Sequence, residues 1–244
     1  MNFPIPSKEL RFMGDDELSF LAIGDGLVKS IKTLSGFKSD AAIVDVGSGY
    51  GRLAHALLRS NFCGTYHGLE ILKPHNDWAQ ANLSNEKFRF SHLDIRNGRY
   101  NPSGTVRAED VKLQSYTERS DLIVLTSVFT HMYEAEIDNY ISCFREMLRP
   151  SGRVVCSFFL LNAERHNAIV EEKTKLPLPF RLSPVARYHN ASDPLHAIAF
   201  ERRWVESLIQ HKGLTVESIS YGHWCDGHVR PEQQYQDFLV LKCA

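Results

Sequence analysis

The chain has 244 residues, of which 43% are hydrophobic and 11% aromatic, and its formal net charge is −1 at pH 7. This composition supports a buried core and excludes a disordered chain. The near-zero charge offers no general attraction to nucleic acid. We find no apolar secretory signal and no apolar run long enough to span a bilayer. Five scattered cysteines without a C-x-x-C pair suit reduced thiols, so we expect a cytoplasmic protein with one domain over 1–244.

Strand and helix patterns alternate along the chain after an apolar helix pattern over 15–34, which belongs to an expected N-terminal helical cap (1–38). The sequence then predicts strands over 41–46, 65–71, 87–95, 120–129, 153–161, 214–222 and 236–243, and helices over 52–60, 76–83, 133–148 and 201–213. This alternation predicts an α/β fold with a mostly parallel sheet and right-handed crossovers.

Two connections exceed the usual length for a compact domain, residues 96–119 and 161–200. Connections of this length usually carry binding or catalytic function. We therefore expect 161–200 to form a substrate-lid insertion beside the ligand site.

The segment "VDVGSGYGRL" places three glycines at alternate positions directly after the first predicted strand. Glycine permits a tight turn and a close approach of the backbone to a ligand, and the following helix N-terminus favours an anionic group. The third glycine of a dinucleotide-binding loop is replaced by Arg52, and Asp45 before the turn would repel a pyrophosphate. An NAD-dependent reductase is therefore disfavoured.

Acidic side chains lie at the ends of the first three predicted strands: Asp45, Glu70 and Asp94. The carboxyl ends of parallel strands lie at one edge of the sheet, where ligands bind. Asp45 suits an ammonium, Glu70 can accept both hydroxyls of a ribose, and Asp94 can accept from an exocyclic amine. A ligand with an amino acid tail, a ribose and an adenine fits all three, although Asp45 and Asp94 could instead cap the loops that follow.

These motifs resemble those of the class I S-adenosylmethionine-dependent methyltransferases. "VDVGSGYG" is similar to that family's first motif, "GLEI" to the second, "HLDI" to the third, "SDLIVLTSVFTHM" to the fourth and "LRPSGR" to the loop before the fifth strand. The resemblance implies a Rossmann-like sheet of seven strands in the order 3-2-1-4-5-7-6 with an antiparallel last strand. It also implies S-adenosylmethionine as cofactor and S-adenosylhomocysteine as product, and we expect no metal.

The resemblance also implies the residues of the cofactor site. Gly47 and Gly49 would lie against the methionine portion, and Thr126 would line the pocket near the sulfonium. The whole expected cofactor set is Asp45, Gly47, Ser48, Gly49, Glu70, Ile71, Asp94, Ile95, Thr126 and Ser127.

The methyl acceptor is indicated by the segment after the fourth predicted strand. "TSVFTH" departs from the N/D-P-P-Y type motif of one group of N-methyltransferases, and "SVFTHM" resembles bacterial methyltransferases that accompany glycan synthesis. We therefore expect O-methylation of a sugar or glycan hydroxyl, with His131 as general base because imidazole titrates near neutrality. His131 could instead open the following helix, and then Asp226, His223 or Glu134 would be the candidate base.

Further acceptor contacts are expected from "YGHWCDGH" (221–228) and from the long insertion. Trp224 could stack on a sugar face, and Arg187 and Tyr188 could contact a hydroxylated or anionic acceptor. The histidines and cysteine near Trp224 match no standard zinc spacing. A magnesium site, an acceptor of another small-molecule class, a non-catalytic partner subunit that binds S-adenosylmethionine, and a homo-oligomer stay open.

Overall fold

The computed structural model describes residues 3–11, 16–115, 117–225 and 234–244. Its strands are β1 (Ala42–Val46), β2 (Thr65–Glu70), β3 (Phe88–His92), β4 (Ile95–Arg96), β5 (Val106–Arg107), β6 (Ser120–Leu125), β7 (Leu148–Phe158), β8 (Leu160–Leu161), β9 (Phe180–Ser183), β10 (Ala186–Tyr188), β11 (Ile198–Glu201), β12 (Leu214–Ser220) and β13 (Asp237–Cys243). Its α-helices are α1 (Glu17–Ser35), α2 (Arg52–Arg59), α3 (Lys73–Leu83), α4 (Glu134–Met147), α5 (Ala163–Val170) and α6 (Arg202–His211).

The central sheet has seven strands in the order β3-β2-β1-β6-β7-β13-β12. Neighbouring strands pair in parallel, except that β13 is antiparallel to both β7 and β12. In chain order of the sheet strands this is 3-2-1-4-5-7-6, which confirms the predicted fold class and the antiparallel last strand.

Helices cover both faces of this sheet because its strands are apolar on both sides. In β1, Val44 and Val46 belong to a core cluster with α4 and α6, while Ile43 belongs to a second cluster with α1, α2 and α3. Side chains alternate between the two faces along a strand, so a continuous apolar run is typical of a strand that is buried on both faces. Because helices cover both faces, the edge formed by the carboxyl ends of the strands is the part of the sheet that stays accessible to a ligand.

The strand predicted over 120–129 is shorter than expected. It ends at Leu125 because Ser127 adopts a positive φ of 59°, and a 3-10 turn over Phe129–His131 follows. Likewise β3 ends at His92, and β4 starts a separate two-stranded ribbon with β5. Both departures place loop residues at the edge of the sheet where the first motifs also lie.

The segment between β7 and α6 forms a second, four-stranded sheet in the order β8-β11-β10-β9, and α5 follows β8. A buried ion pair between Arg165 of α5 and Asp237 of β13 ties this insertion to the central sheet. Among the helices in the described ranges, none is long and apolar enough to cross a membrane.

Candidate active site

A cavity of about 450 Å³ opens at the carboxyl ends of β1, β2 and β6, between the glycine turn, the loop after β4 and the turn after β6. Nine of the ten residues expected at the cofactor line it: Asp45, Gly47, Ser48, Gly49, Glu70, Ile71, Ile95, Thr126 and Ser127. His131 also lines this cavity. The expected cofactor groups and the expected base therefore share one site.

The glycine turn depends on left-handed backbone conformations that favour glycine. Gly47, Gly49 and Gly51 have φ values of 75°, 58° and 77°, a region in which side chains with a Cβ are disfavoured. A Cβ on Gly47 would lie 2.5 Å from Cγ2 of Val128, whereas at Gly49 no described atom lies within 4 Å of that position. The turn therefore packs closely at Gly47 and leaves open space at Gly49.

Glu70 joins the end of β2 to the glycine turn. Its Oε2 accepts from the N–H of Gly49 at 2.6 Å, and its Oε1 accepts from the N–H of Leu72 at 2.7 Å. Burial raises the pKa of Glu70, while these two donors act in the opposite direction. A carboxylate oxygen has two acceptor positions, so each oxygen retains capacity for one more donor from a ligand.

Asp45 is a buried acid at the end of β1. It is 3% exposed, and the hydroxyl of Tyr66 donates to its Oδ2 at 2.6 Å. Burial raises the pKa of Asp45 to about 7, the negative charge of Glu70 adds to this, and the Tyr66 hydrogen bond opposes it. A cation bound in the cavity would restore the charged form of Asp45.

Arg52 supplies a positive charge in the cavity that Asp45 also lines. It lines the cavity at the first position of α2, and its Nε and Nη1 are buried without a hydrogen-bond partner among the described residues. Buried N–H groups without a partner are costly, and an anionic ligand group beside Arg52 would satisfy these two donors. Together Asp45 and Arg52 offer one site for an ammonium and one for a carboxylate, as an amino acid tail requires.

His131 lies in the turn after β6. Its Nδ1 is 2.8 Å from the carbonyl oxygen of Leu195, and the ring of Tyr100 meets it edge-on at 5.4 Å between ring centres. Because a carbonyl only accepts, Nδ1 carries the hydrogen in the neutral ring and Nε2 holds the lone pair. Burial is the main cause that lowers the pKa of His131. The neutral imidazole can therefore accept a proton at Nε2.

Asp94 lies in the loop between β3 and β4, and its expected contact with the cofactor stays a prediction. Its side chain is exposed and does not line the cavity. Its Oδ2 accepts from the Thr105 hydroxyl at 2.7 Å, its Oδ1 accepts from the Asn101 amide at 3.2 Å, and these bonds lower its pKa. Asp94 thus organises the loop after β4, as its alternative interpretation as a capping residue suggested.

The structure corrects the expectation for Trp224. The ring is fully buried, packs edge-on against Phe159 at 5.3 Å and donates from Nε1 to Oδ2 of Asp237 at 2.9 Å. It offers no face to a sugar. His223 packs against Tyr235 at 5.4 Å and does not line the described cavity. Asp226 lies outside the described residues.

The remaining residues expected on the acceptor side contact other parts of the chain. Arg187 donates from Nε to the carbonyl of Leu178 at 2.8 Å, within the insertion, and Tyr188 stacks on Phe180 at 5.2 Å. Glu134 accepts from the hydroxyl of Ser183. None of Arg187, Tyr188 and Glu134 lines the cavity. These side chains hold the insertion together and dock it on α4.

Sequence reasoning missed several residues of the cavity wall: Tyr50, Arg52, Asn97, Arg99, Tyr100, Met132 and Tyr140. For Arg52 the signal was its place at the start of the helix after the glycines. For residues 97–100 the signal was the length of the connection over 96–119. No group of three or more His, Cys, Asp or Glu side chains within the described ranges could hold a metal ion.

The comparisons with known proteins agree with this fold. A family model described as a methyltransferase domain matches residues 22–219, so the chain belongs to this methyltransferase family. Its membership confirms the predicted class of S-adenosylmethionine-dependent methyltransferases.

Solved structures of low sequence identity share the fold. The glycopeptide N-methyltransferase MtfA in complex with S-adenosylmethionine has a TM-score of 0.58 at 16% identity, over 91% of this chain and 94% of that one. A TehB-like SAM-dependent methyltransferase from Corynebacterium glutamicum has 0.52 at 14%, over 91% and 88%. The mitomycin 7-O-methyltransferase MmcR has 0.55 at 14%, over 93% and 55%.

Proposed function

We propose that this methyltransferase transfers the methyl group of S-adenosylmethionine to a hydroxyl of a sugar or glycan, with His131 as general base. One observation carries the proposal. The hydrogen bond from Nδ1 of His131 to the Leu195 carbonyl leaves the lone pair on Nε2, and His131 lines the cavity that contains the glycine turn. An acceptor hydroxyl must lose its proton when its oxygen is methylated, and a neutral imidazole in this place can take it.

The cofactor fits the charges of the cavity. Asp45 would hold its ammonium, the unpaired nitrogens of Arg52 would hold its carboxylate, and Glu70 would accept from its ribose. When bound, the cofactor supplies an electrophilic methyl group on a positively charged sulfur. The open space beside Gly49 allows the ligand to approach the backbone closely.

The chain's own part in the reaction is alignment and proton transfer. The Thr126–Ser127 turn and His131 follow the same strand, so they would hold the acceptor hydroxyl beside the cofactor. The acceptor O–H bond would break, its proton would pass to Nε2 of His131, and the oxygen would use its electron pair to bond the methyl carbon. The bond from that carbon to sulfur would break in the same step, with its electron pair left on the departing S-adenosylhomocysteine. Alignment of this kind supplies much of the acceleration in a group transfer.

A sugar acceptor is supported by the "SVFTHM" likeness and by polar donors near the base. The amide of Asn97 and the hydroxyl-bearing ring of Tyr100 line the cavity beside His131. Tyr100 takes over the aromatic role that we expected of Trp224. An acceptor of another small-molecule class is the second candidate, because the structural relatives named above methylate both nitrogen and oxygen.

Turnover with labelled S-adenosylmethionine tests the proposal. We would offer a panel of free sugars, nucleotide sugars, phenols and amines, and identify the product by mass and by its stability to acid. Methyl ethers of sugars would support the proposal, and methylated amines or phenols would replace its acceptor class. Cofactor binding without product from any acceptor in the panel, or from a cell extract, would favour a non-catalytic partner subunit.

A further inference from the structure

The insertion contacts the candidate base through one short turn. In residues 193–196 the N–H of His196 donates to the carbonyl of Asp193 at 3.0 Å, and Leu195 between them is buried. The Leu195 carbonyl faces outward from this turn and accepts from Nδ1 of His131. Thus the hydrogen bond that selects the tautomer of the base comes from an element 64 residues away in the chain.

A second contact fastens the same turn to the cavity wall. The carboxylate of Asp193 pairs with the guanidinium of Arg99, which lines the cavity. Each of the two side chains is about one-third exposed. The backbone of Arg99 is itself fixed, because its backbone N–H donates to Oδ1 of Asn97 at 3.0 Å, and the Asn97 amide donates to the carbonyl of His131 at 3.0 Å. Together with the bond from His131 to Leu195, these three contacts close a ring that joins the turn, the loop after β4 and the base.

We infer that Asp193 is a positioning residue: its ion pair with Arg99 holds the 193–196 turn against the cavity wall, so that the Leu195 carbonyl fixes Nδ1–H on His131 and leaves Nε2 to take a proton. The inference rests on the proposed function only for the catalytic use of that proton. Without this contact, a neutral imidazole exchanges between both tautomers, and part of the population presents an N–H to the acceptor.

The pKa of His131 distinguishes a positioning role of Asp193 from a direct effect of its negative charge. Burial, which is the largest cause, and the positive charges of Arg99 and His196 lower the pKa of His131, whereas the hydrogen bond to Leu195 and the negative charge of Asp193 raise it. If Asp193 acted only as a nearby charge, its neutralisation would lower that pKa further. If Asp193 holds the turn in place, its loss both exposes the ring to water and breaks the Leu195 bond, and because burial is the larger of these two causes the pKa rises toward the ordinary value of about 6.5.

Nitrogen NMR of protein labelled with 15N-histidine measures the tautomer and the pKa of His131 directly. We compare the wild type with Asp193→Asn, with the conservative Asp193→Glu, and with Glu217→Gln, which breaks an ion pair to Arg153 far from the cavity. The inference expects one tautomer with Nδ1–H in the wild type, mixed tautomers and a raised His131 pKa in Asp193→Asn, recovery in Asp193→Glu, and no change in Glu217→Gln. A single unchanged tautomer with an unchanged or lower pKa in Asp193→Asn would overturn it.

Turnover gives an independent readout that separates this inference from the proposed function. Asp193→Asn should lower kcat by up to about 10²-fold, the scale of a misplaced catalytic group, while the Kd of S-adenosylmethionine stays the same. If His131→Ala kept its activity but Asp193→Asn changed the tautomer, the proposed base would fail and the positioning contact would stand. If His131→Ala were inactive and Asp193→Asn left the tautomer unchanged, His131 would stand as the proposed base and the positioning role of Asp193 would fail.

Discussion

The N–H of Gly49 donates to Oε2 of Glu70 at 2.6 Å, so the glycine turn after β1 and the acid at the end of β2 form one hydrogen-bonded unit. The N–H groups of Gly47 and Ser48 add two bonds to the carbonyl of Leu69, at 2.8 Å and 3.1 Å. The turn is therefore ordered by the neighbouring strand before any ligand binds. This preorganisation lowers the ordering entropy that a ligand would otherwise have to offset.

Glu70→Ala tests whether this carboxylate binds the ribose. The variant loses two acceptor positions for ligand hydroxyls, and we expect the free energy of S-adenosylmethionine binding to weaken by roughly 1.5–3 kcal/mol. Calorimetry would then show a Kd raised about 10- to 150-fold. Glu217→Ala, at the outer edge of the sheet, is the matched control and should bind normally. Unchanged affinity in a folded Glu70→Ala protein would remove Glu70 from the cofactor site.

Gly47 and Gly49 offer a matched pair of substitutions. Both require a positive φ, so alanine is strained at either position. Only at Gly47 does the new Cβ meet a neighbour, Cγ2 of Val128 at 2.5 Å. We expect Gly47→Ala to unfold at a lower denaturant concentration than Gly49→Ala, and the added change Val128→Ala to recover part of the loss. Equal stability of the two single variants would contradict the packing seen here.

Asp45 predicts a pH dependence of both stability and cofactor binding. Its pKa is about 7 in the folded chain and about 3.9 when unfolded, so between these values the unfolded chain binds fewer protons. Stability of the ligand-free protein therefore falls as the pH rises from about 4 to about 7, by up to about 1.4 kcal/mol per pH unit from this residue. Asp45→Asn should remove that slope, measured as the difference in unfolding free energy at pH 5 and pH 8.

Binding of the cofactor's ammonium should release the proton of Asp45. At pH 6 the acid is mostly protonated in the free protein, and a cation beside it favours the charged form. Calorimetry in two buffers of different ionisation enthalpy should report nearly one proton released per cofactor in the wild type and none from this position in Asp45→Asn. The same proton count in both proteins would show that the ammonium lies elsewhere.

The sequence predicted the sheet and most of the cofactor site because both depend on local patterns. Strand ends, turn glycines and the residues beside them follow from short segments, so nine of the expected residues line one cavity. Asp94 is the exception, because it lies in the loop between β3 and β4 and its carboxylate accepts from Thr105 and Asn101. These partners are 11 and 7 positions away in the chain, so the strand pattern does not reveal them.

The acceptor side could not be predicted in the same way because it depends on contacts between distant segments. Trp224 looked like an exposed aromatic rim, but its burial follows from Asp237, which also accepts from the N–H groups of Leu160 and Gly222 and from Arg165. Nothing near Trp224 in the sequence reveals these partners. The contact of Leu195 with His131 likewise spans 64 positions and appears only when the insertion is folded.

His131→Ala tests the proposed base. The variant should bind S-adenosylmethionine with an unchanged Kd and lose roughly 10²- to 10⁴-fold in kcat, the usual contribution of a positioned base. His211→Ala is the matched control, because His211 is exposed and bonds the Ser207 carbonyl of its own helix. The base needs a neutral ring, and burial lowers the pKa of His131. The wild-type rate should therefore rise with pH through a pKa below about 6.5 and then level off.

The part of the pH–rate profile in which the rate rises, its acidic limb, separates proton transfer by His131 from a packing role of the same ring. If His131 only opens the helix that follows, His131→Ala will lose stability, but its remaining activity will keep the wild-type pH profile. If it is the base, the limb disappears and the small residual rate no longer depends on pH between 5 and 7. EDTA should leave the rate unchanged, since the proposed reaction uses no metal. If EDTA abolished the activity and magnesium restored it, a bound metal ion would activate the acceptor hydroxyl instead, and His131 would not be the general base.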